Sequence, residues 1–266
     1  MSLEVGDAVS EAFDRITTQA ALVLIGLYTI TSVLQSAASQ DVLREFVESI
    51  RDWGRDELTA EEYQELVDST DPVLNDLPLA LGLDLVPAIA LWFVALVAGV
   101  AIVAVAIDAF AYGANTIDDL DTSRLLWRTL NILVGGLVFG ILLFVGFAFL
   151  IIPGLIVFVL FVYFPVAVVV DDTNFVSALG NSLNTVTDNA GQTLLLIAVA
   201  IGVGIGIGIA SSIVTFALPG TIAGIVNAAF SATSALFVLA ILTRGYVAAN
   251  APEADEPVTG SEFSTE

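Results

Sequence analysis

Charge is absent from four stretches of this chain, and their lengths constrain the architecture more than any other feature. Between Arg15 and Asp41 lie 25 uncharged residues, between Asp84 and Asp108 lie 23, between Arg128 and Asp171 lie 42, and between Asp188 and Arg244 lie 55. A helix needs about 20 apolar residues to cross about 30 Å of hydrocarbon. The first two intervals therefore suit one crossing each, and the last two suit two each if a turn divides them. Ile152-Pro153-Gly154-Leu155 divides the third and Leu218-Pro219-Gly220-Thr221 the fourth. Pro-Gly is a strong turn signal, and proline also removes a backbone donor. Six spans follow, at about 17–37, 85–107, 129–151, 154–170, 192–217 and 222–245. Pro165 falls inside the fourth, where it should kink or end the helix, with Tyr163 beside it at a membrane boundary.

Composition agrees with a membrane environment: 57% of the 266 residues are apolar and only 14% charged, against about 25% charged in an ordinary soluble domain. The 29 acids face seven bases, all arginine, while lysine, histidine and cysteine are absent. Disulfides, thiol nucleophiles, Ser-His-Asp triads, Cys/His zinc sites and imidazole proton relays are excluded, and no cofactor is expected. A net charge of −22 argues against nucleic acid, whose binding needs cations to neutralise phosphates. Acidic, lysine-free exposed segments keep a protein hydrated where salt screens charges, the Debye length falling to about 3 Å at 1 M. A halophilic origin is the expectation.

The amino terminus is read as a retained first helix and not a signal peptide, because Glu4, Asp7, Glu11 and Asp14 oppose Arg15 alone, the reverse of a basic leader. Before each pair of spans lies a polar stretch, beginning at Gly6, Asp119 and Asn174. In the first, Val5, Val9, Ala12, Phe13 and Ile16 recur at helical spacing; in the third, Phe175, Leu179, Leu183 and Val186 do so. In the second, Leu125, Leu126 and Trp127 sit between Arg124 and Arg128. Such helices lie in the headgroup plane before feeding their spans. Together with similar exits at Ala109–Asn115 and Thr243–Asn250, they predict a threefold repeat. The fold class expected is all-α, an integral membrane bundle of six transmembrane helices in three hairpins, each preceded by an amphipathic interfacial helix.

Residues 39–83 interrupt the first hairpin with an acidic insert, read as a solvated helical hairpin: Val42 to Trp53 form one helix, and Leu58 to Val67 a second that ends before Asp71-Pro72. No calcium-loop pattern is present. Residues 251–266 are expected to form a disordered acidic tail, outside the membrane domain of residues 1–250. Six spans place both termini on one side, and Arg15, Arg124, Arg128 and Arg244 share it, so the expectation is a cell-membrane protein with cytoplasmic termini and an extracytoplasmic insert.

Candidate sites are few. Intramembrane ionisable groups are the usual functional pointer, and only Asp108 qualifies, with Arg244 as its expected partner. Gly202, Gly204, Gly206 and Gly208 alternate in the fifth span. They lack the strand and spacing of a dinucleotide fingerprint and are read as helix-packing positions that let neighbours approach on both sides. Pro153, Gly154, Pro219 and Gly220 are the expected hairpin turns. Asn131, Gln192, Asn227, Ser211, Ser212, Thr215, Ser231, Thr233 and Ser234 are read as interhelical hydrogen bonders. Asp171-Asp172 marks the exit of the fourth span; adjacent helical residues diverge by about 100° and do not share a site.

The segment Ile151–Ile197 resembles the signature region of a broad group of uncharacterised prokaryotic membrane proteins. That group includes many six-helix proteins of salt-loving archaea and the membrane domain attached to some glycerophosphodiester phosphodiesterases. Pro153-Gly154, Pro165 to Val170, Asp171-Asp172, Ala178-Leu179, Ser182 and Asn189 carry the resemblance. Basic residues usual around that serine are Asn181, Asn184 and Asp188 here. The resemblance implies a six-span archaeal membrane protein and transfers no catalytic residue; without a phosphodiesterase domain, that activity is not implied. The expected function is non-enzymatic: lateral interaction with membrane lipids, another membrane protein or a second copy. A transporter or channel for a neutral or lipidic solute is the alternative, built on the discontinuity at Pro165 or the glycine-rich span.

Overall fold

A computed structural model describes residues 5–251, which form ten α-helices and one 3-10 turn with no strand among the described residues. The expected acidic tail after residue 251 lies outside the described residues. The helices are α1 (Val5–Ile16), α2 (Gln19–Glu57), α3 (Ala60–Asn75), α4 (Leu85–Tyr112), α5 (Leu125–Phe149), α6 (Ile151–Leu160), α7 (Phe164–Val170), α8 (Phe175–Asp188), α9 (Ala190–Thr215) and α10 (Gly220–Ala249). Six stretches are long and apolar enough to cross a membrane: α2, α4, α5, α6 with α7, α9 and α10. They pack as three hairpins, α2 on α4, α5 on α6 and α9 on α10. The chain is a multi-pass helical membrane protein.

Two of the three expected interfacial helices are separate elements. In α1 the buried Ala8, Ala12 and Ile16 share one face, and Phe13 meets Phe237 of α10 edge to face at 6.3 Å. In α8 Ala178, Ser182, Thr185 and Val186 are buried, and Asn174 accepts from Val176 and Ser177 N–H at the amino end. The second is not a separate helix. Ile117–Asp119 form only a 3-10 turn, and Leu125, Leu126 and Trp127 run into α5 because no polar break follows them.

The insert also departs from expectation. No glycine or proline interrupts residues 27–53, so the first span and the first insert helix form one 39-residue rod, about 58 Å at 1.5 Å per residue. A reciprocal capping box, Thr59 with Glu62, starts α3. That helix continues through Pro72 to Asn75, past the expected stop; Asp68, whose carbonyl loses its helical donor to the proline, is exposed to water.

The return of the insert is held by three neighbours on α2. Gln40 Oε1 accepts from Leu79 N–H at 2.7 Å, Asp41 accepts from Leu81 and Gly82 N–H at 3.1 and 2.9 Å, and Arg44 donates to Leu83 O at 2.8 Å. Asp41 is fully buried, and Gly82 turns the chain at φ +77°. Thr221 Oγ1 then donates to Pro78 O at 3.0 Å, tying the insert to the start of α10.

Pro153-Gly154 lies just past its turn, whereas Pro219 closes the second turn as expected and Gly220 opens the helix after it. Leu150 makes the α5–α6 break, and Pro153 occupies the first turn of α6, where its missing N–H is no loss. Gly146 and Gly154 meet backbone to backbone across this hairpin. Pro219 caps α10 and Gly220 begins it, after a turn at residues 216–219.

The core is concentrated at the end carrying α1 and α8. It joins Ala104–Phe110 of α4, Val166–Val169 of α7, and Leu236, Ala240 and Ile241 of α10. Toward the insert end the last half of α5, the start of α6 and most of α9 expose large apolar side chains, Phe144, Phe149, Ile151, Ile205 and Ile213 among them. A water-soluble monomer does not carry such a surface; hydrocarbon matches it.

Candidate functional site

Polar side chains converge at the termini end of the bundle, where the chain breaks its own helix. Pro165 has no N–H for Phe161 O, and its ring disfavours a regular turn there. Residues 161–163 accordingly form a turn between α6 and α7, and Phe164 N–H bonds Phe161 O at 3.1 Å, one residue tighter than an α-helix. Leu160 O and Tyr163 N–H lose their helical partners. Ser182 of α8 serves both: its hydroxyl donates to Leu160 O at 3.0 Å and accepts from Tyr163 N–H at 3.2 Å. Ser182, Tyr163 and Ala178 are fully buried.

Around this joint the charged groups are engaged. Tyr246 donates to Asp171 Oδ2 at 2.6 Å, as does Asn181 Nδ2 at 2.6 Å. The ring of Tyr246 lies 5.5 Å from that of Tyr163. Asp172 pairs with Arg124. Asn131 Oδ1 accepts from Phe175 N–H at 3.0 Å, fastening α5 to the start of α8. Asn250 and Thr185 bond at 3.2 Å between α10 and α8.

Asp108 is buried in α4, but its partner is Arg128 of α5 at 2.8 Å, not Arg244. The two side chains are each 8% exposed, so the pair is a buried interhelical tie. The expectation of Arg244 fails on geometry: its guanidinium reaches Glu11 of α1 and donates to Ala111 O at 3.0 Å. Arg15 packs over Gly113, the left-handed cap of α4 at φ +86°, where a Cβ would collide with it. Two arginines thus cover the carboxyl end of α4, where cations are favoured. In the loop before α5, Thr116 and Asn115 N–H groups bond Asp119 and hold its carboxyl below the usual range. Ser123 N–H does the same for Asp121, which also stands 3.8 Å from Arg128. No group of three or more acids able to hold a metal ion occurs among the described residues.

The glycines of α9 are only partly packing positions. A Cβ on Gly204 would meet Ser234 Oγ of α10 at 3.6 Å, whereas on Gly202, Gly206 or Gly208 it would meet nothing within 4 Å. The glycine-rich stretch therefore meets α10 at Gly204 and is open at the other three glycines. Of the proposed interhelical hydrogen bonders, Asn131 acts as described, and Ser211 donates to Asn227 Oδ1 across the hairpin at 2.9 Å. Ser212, Thr215 and Thr233 bond carbonyls of their own helices.

Several concavities open along the spanning helices, two of them against α9. One, about 190 Å³ and lined only by apolar residues, separates Phe158 and Val162 of α6 from Ile197, Ala200, Ile201 and Gly204 of α9, with Val238 and Leu242 of α10 at its floor. The other, about 290 Å³, lies between α9 and α10 and is partly polar, lined by Ser211, Asn227, Ser231 and Ser234.

A six-span all-helical bundle with a proline-broken fourth span is the class these features define. The chain belongs to the family described as Domain of unknown function (DUF7847), which matches residues 3–251. No match was found among curated proteins or among solved structures.

Proposed function

We propose that this chain is a non-enzymatic membrane protein that works by lateral interaction within the bilayer, first with lipids and then with a partner membrane protein. One observation carries the reading: the second and third hairpins join at the termini end but stand apart across the apolar groove between α6 and α9. A groove of this chemistry at this depth suits an acyl or isoprenoid chain, whose contacts are dispersive. The acids at the termini end act in the fold, as ties and caps, which supports a role without chemistry. Transport of a neutral solute needs a polar route across the bilayer; below the polar cleft, Leu236, Ala240 and Ile241 are fully buried and apolar.

The setting completes the proposal. Arg15, Arg124, Arg128 and Arg244 cluster at the termini end, supporting cytoplasmic termini in a cell membrane, and the lysine-free acidic surface supports a salt-rich environment and an archaeal source. Kinship to the membrane domain of glycerophosphodiester phosphodiesterases rests on the Pro153 to Asn189 motif. Native mass spectrometry of the detergent-released protein tests the central point. The wild type retains lipid adducts, and Ile201→Trp, which fills the groove from an exposed position, lowers their occupancy several-fold. Equal occupancy in both would overturn the reading.

A further inference from the structure

Asn227 is out of place. It lies seven residues into α10, about 10 Å along the helix at 1.5 Å per residue, in the spanning region, yet it is exposed on the bundle surface. Its Oδ1 accepts from Ser211, while its Nδ2 group has no acceptor among the described residues. Ser231, one turn on, is exposed beside it. Hydrocarbon offers no acceptor to an amide, so a carboxamide held against lipid is unfavourable unless something else supplies the missing bonds.

We infer that the α9–α10 face bearing Asn227 joins two copies of this chain. The inference rests on the lateral-interaction reading and names its protein partner. Copies inserted in the same direction are related by rotation about the membrane normal, so in a twofold pair residues beside the axis meet their own counterparts at the same depth. The group at such a position must complement itself. Carboxamides do: Nδ2–H of one copy donates to Oδ1 of the other, and the reverse. Arginine, aspartate or a lone aliphatic residue could not make that exchange. Polar side chains of this type link membrane helices, and small residues let backbones approach. Both are present, since Gly208 and Gly204 of α9 flank the cleft and a Cβ on Gly208 would meet only open space. Asn227, Ser231 and Ala235 follow one another at intervals of four on α10, all exposed. Elsewhere on α9 the exposed Ile201, Ile205, Ile209 and Ile213 carry no hydrogen-bonding group and suit lipid, and the exposed Ser212 hydroxyl is already bonded to Gly208 O of its own helix.

Disulfide trapping in native membranes tests the pairing cleanly, because the chain contains no cysteine. Ser231→Cys should give a dimer on mild oxidation. Adding Asn227→Leu should lower its yield at least tenfold, and adding Asn227→Gln, which keeps the amide, should preserve it. Ile205→Cys on the lipid-facing side of α9 should give little. No dimer from Ser231→Cys, equal dimer from Ile205→Cys, or indifference to Asn227→Leu in a variant that remains monodisperse would each overturn the inference. A small polar molecule bound to the monomer and lost in Asn227→Leu would also overturn it. If trapping fails while Ile201→Trp still sheds lipid, only the self-association is wrong; if Ile201→Trp is also silent, the lateral reading fails with it.

Discussion

Replacing Ser182 with alanine removes two hydrogen bonds at once, and the structure allows the consequence to be worked out. One hydroxyl serves Leu160 O and Tyr163 N–H, the pair freed by the break before Pro165. A buried polar group left without a partner costs about 1–3 kcal/mol, which for two groups gives about 2–6. Hydrogen bonds between helices in a bilayer measure lower, about 0.6 kcal/mol on average and at most about 1.7 each, because the unfolded chain finds partners in the membrane too. The membrane value is the relevant one, with an upper limit of about 3 kcal/mol for two bonds; the full burial of Ser182 and Tyr163 places the expected loss near the top, at about 2–3. Reversible unfolding by sodium dodecyl sulfate, followed by the fluorescence of Trp53, Trp92 and Trp127, reads it. The cause can be isolated as well. Pro165→Ala returns an N–H for Phe161 O and removes the steric reason for the break, so Ser182→Ala should cost less than about 1 kcal/mol in that background, a coupling that a double-mutant cycle measures. Equal losses with and without Pro165 would show that Ser182 does not act by patching the helix. No loss in either would show that the two backbone groups find other partners.

Other outcomes follow from the same contacts. Asp108→Ala strands the buried Arg128 and should lower unfolding stability by about 3 kcal/mol, since removing one member of a buried pair costs about 3–5 and Asp121 at 3.8 Å compensates in part; Asp108→Leu with Arg128→Leu should recover most of it. Asp41→Ala removes the acceptor for Leu81 and Gly82 N–H and should speed deuterium uptake at residues 77–83 well before the bundle opens, with slow exchange there counting against the clamp. The Thr59 hydroxyl and N–H bonds hold the Glu62 carboxyl below its ordinary 4.5. A lowered folded-state value means that the contribution is present above the ordinary value and is lost as pH falls through the folded one. The Thr59 amide resonance should therefore titrate with a midpoint below 4.5, and not at all in Glu62→Gln; a midpoint above 4.5 would refute the capping geometry.

Much of the bundle was legible in the sequence because hydrocarbon tolerates so few alternatives. Uncharged intervals and Pro-Gly turns located the six spans, and periodic apolar positions located α1 and α8. What was not legible depended on which neighbour a side chain finds. Asp108 reads as an isolated carboxylate near Arg244 at the end of a corresponding span, but Arg128 opens α5 directly beside it, and spacing within a sequence does not rank two arginines by distance. The continuity of α2 was visible in the absence of glycine and proline from residues 27–53, a signal masked by the change from apolar to acidic composition. The alternating glycines of α9 suggested packing on both sides, yet small residues also suit a surface left open, and only the fold distinguishes the two. Ser182 stands out in the sequence only through resemblance; its reason, repair of a proline-broken helix 19 residues earlier in the chain, lies in the geometry.

The alternation of faces underlies every part of this account, because the ties at α8 and the clamp on the insert belong to opposite sides of the bilayer. Single cysteines at Ser49, exposed on the insert portion of α2, and at Ser177, exposed on α8, report it directly in a chain that has no other thiol. With a membrane-impermeant maleimide added from one side of sealed vesicles, one of the two should label and the other should label only after permeabilisation. Labelling of both from the same side would contradict the six-span arrangement.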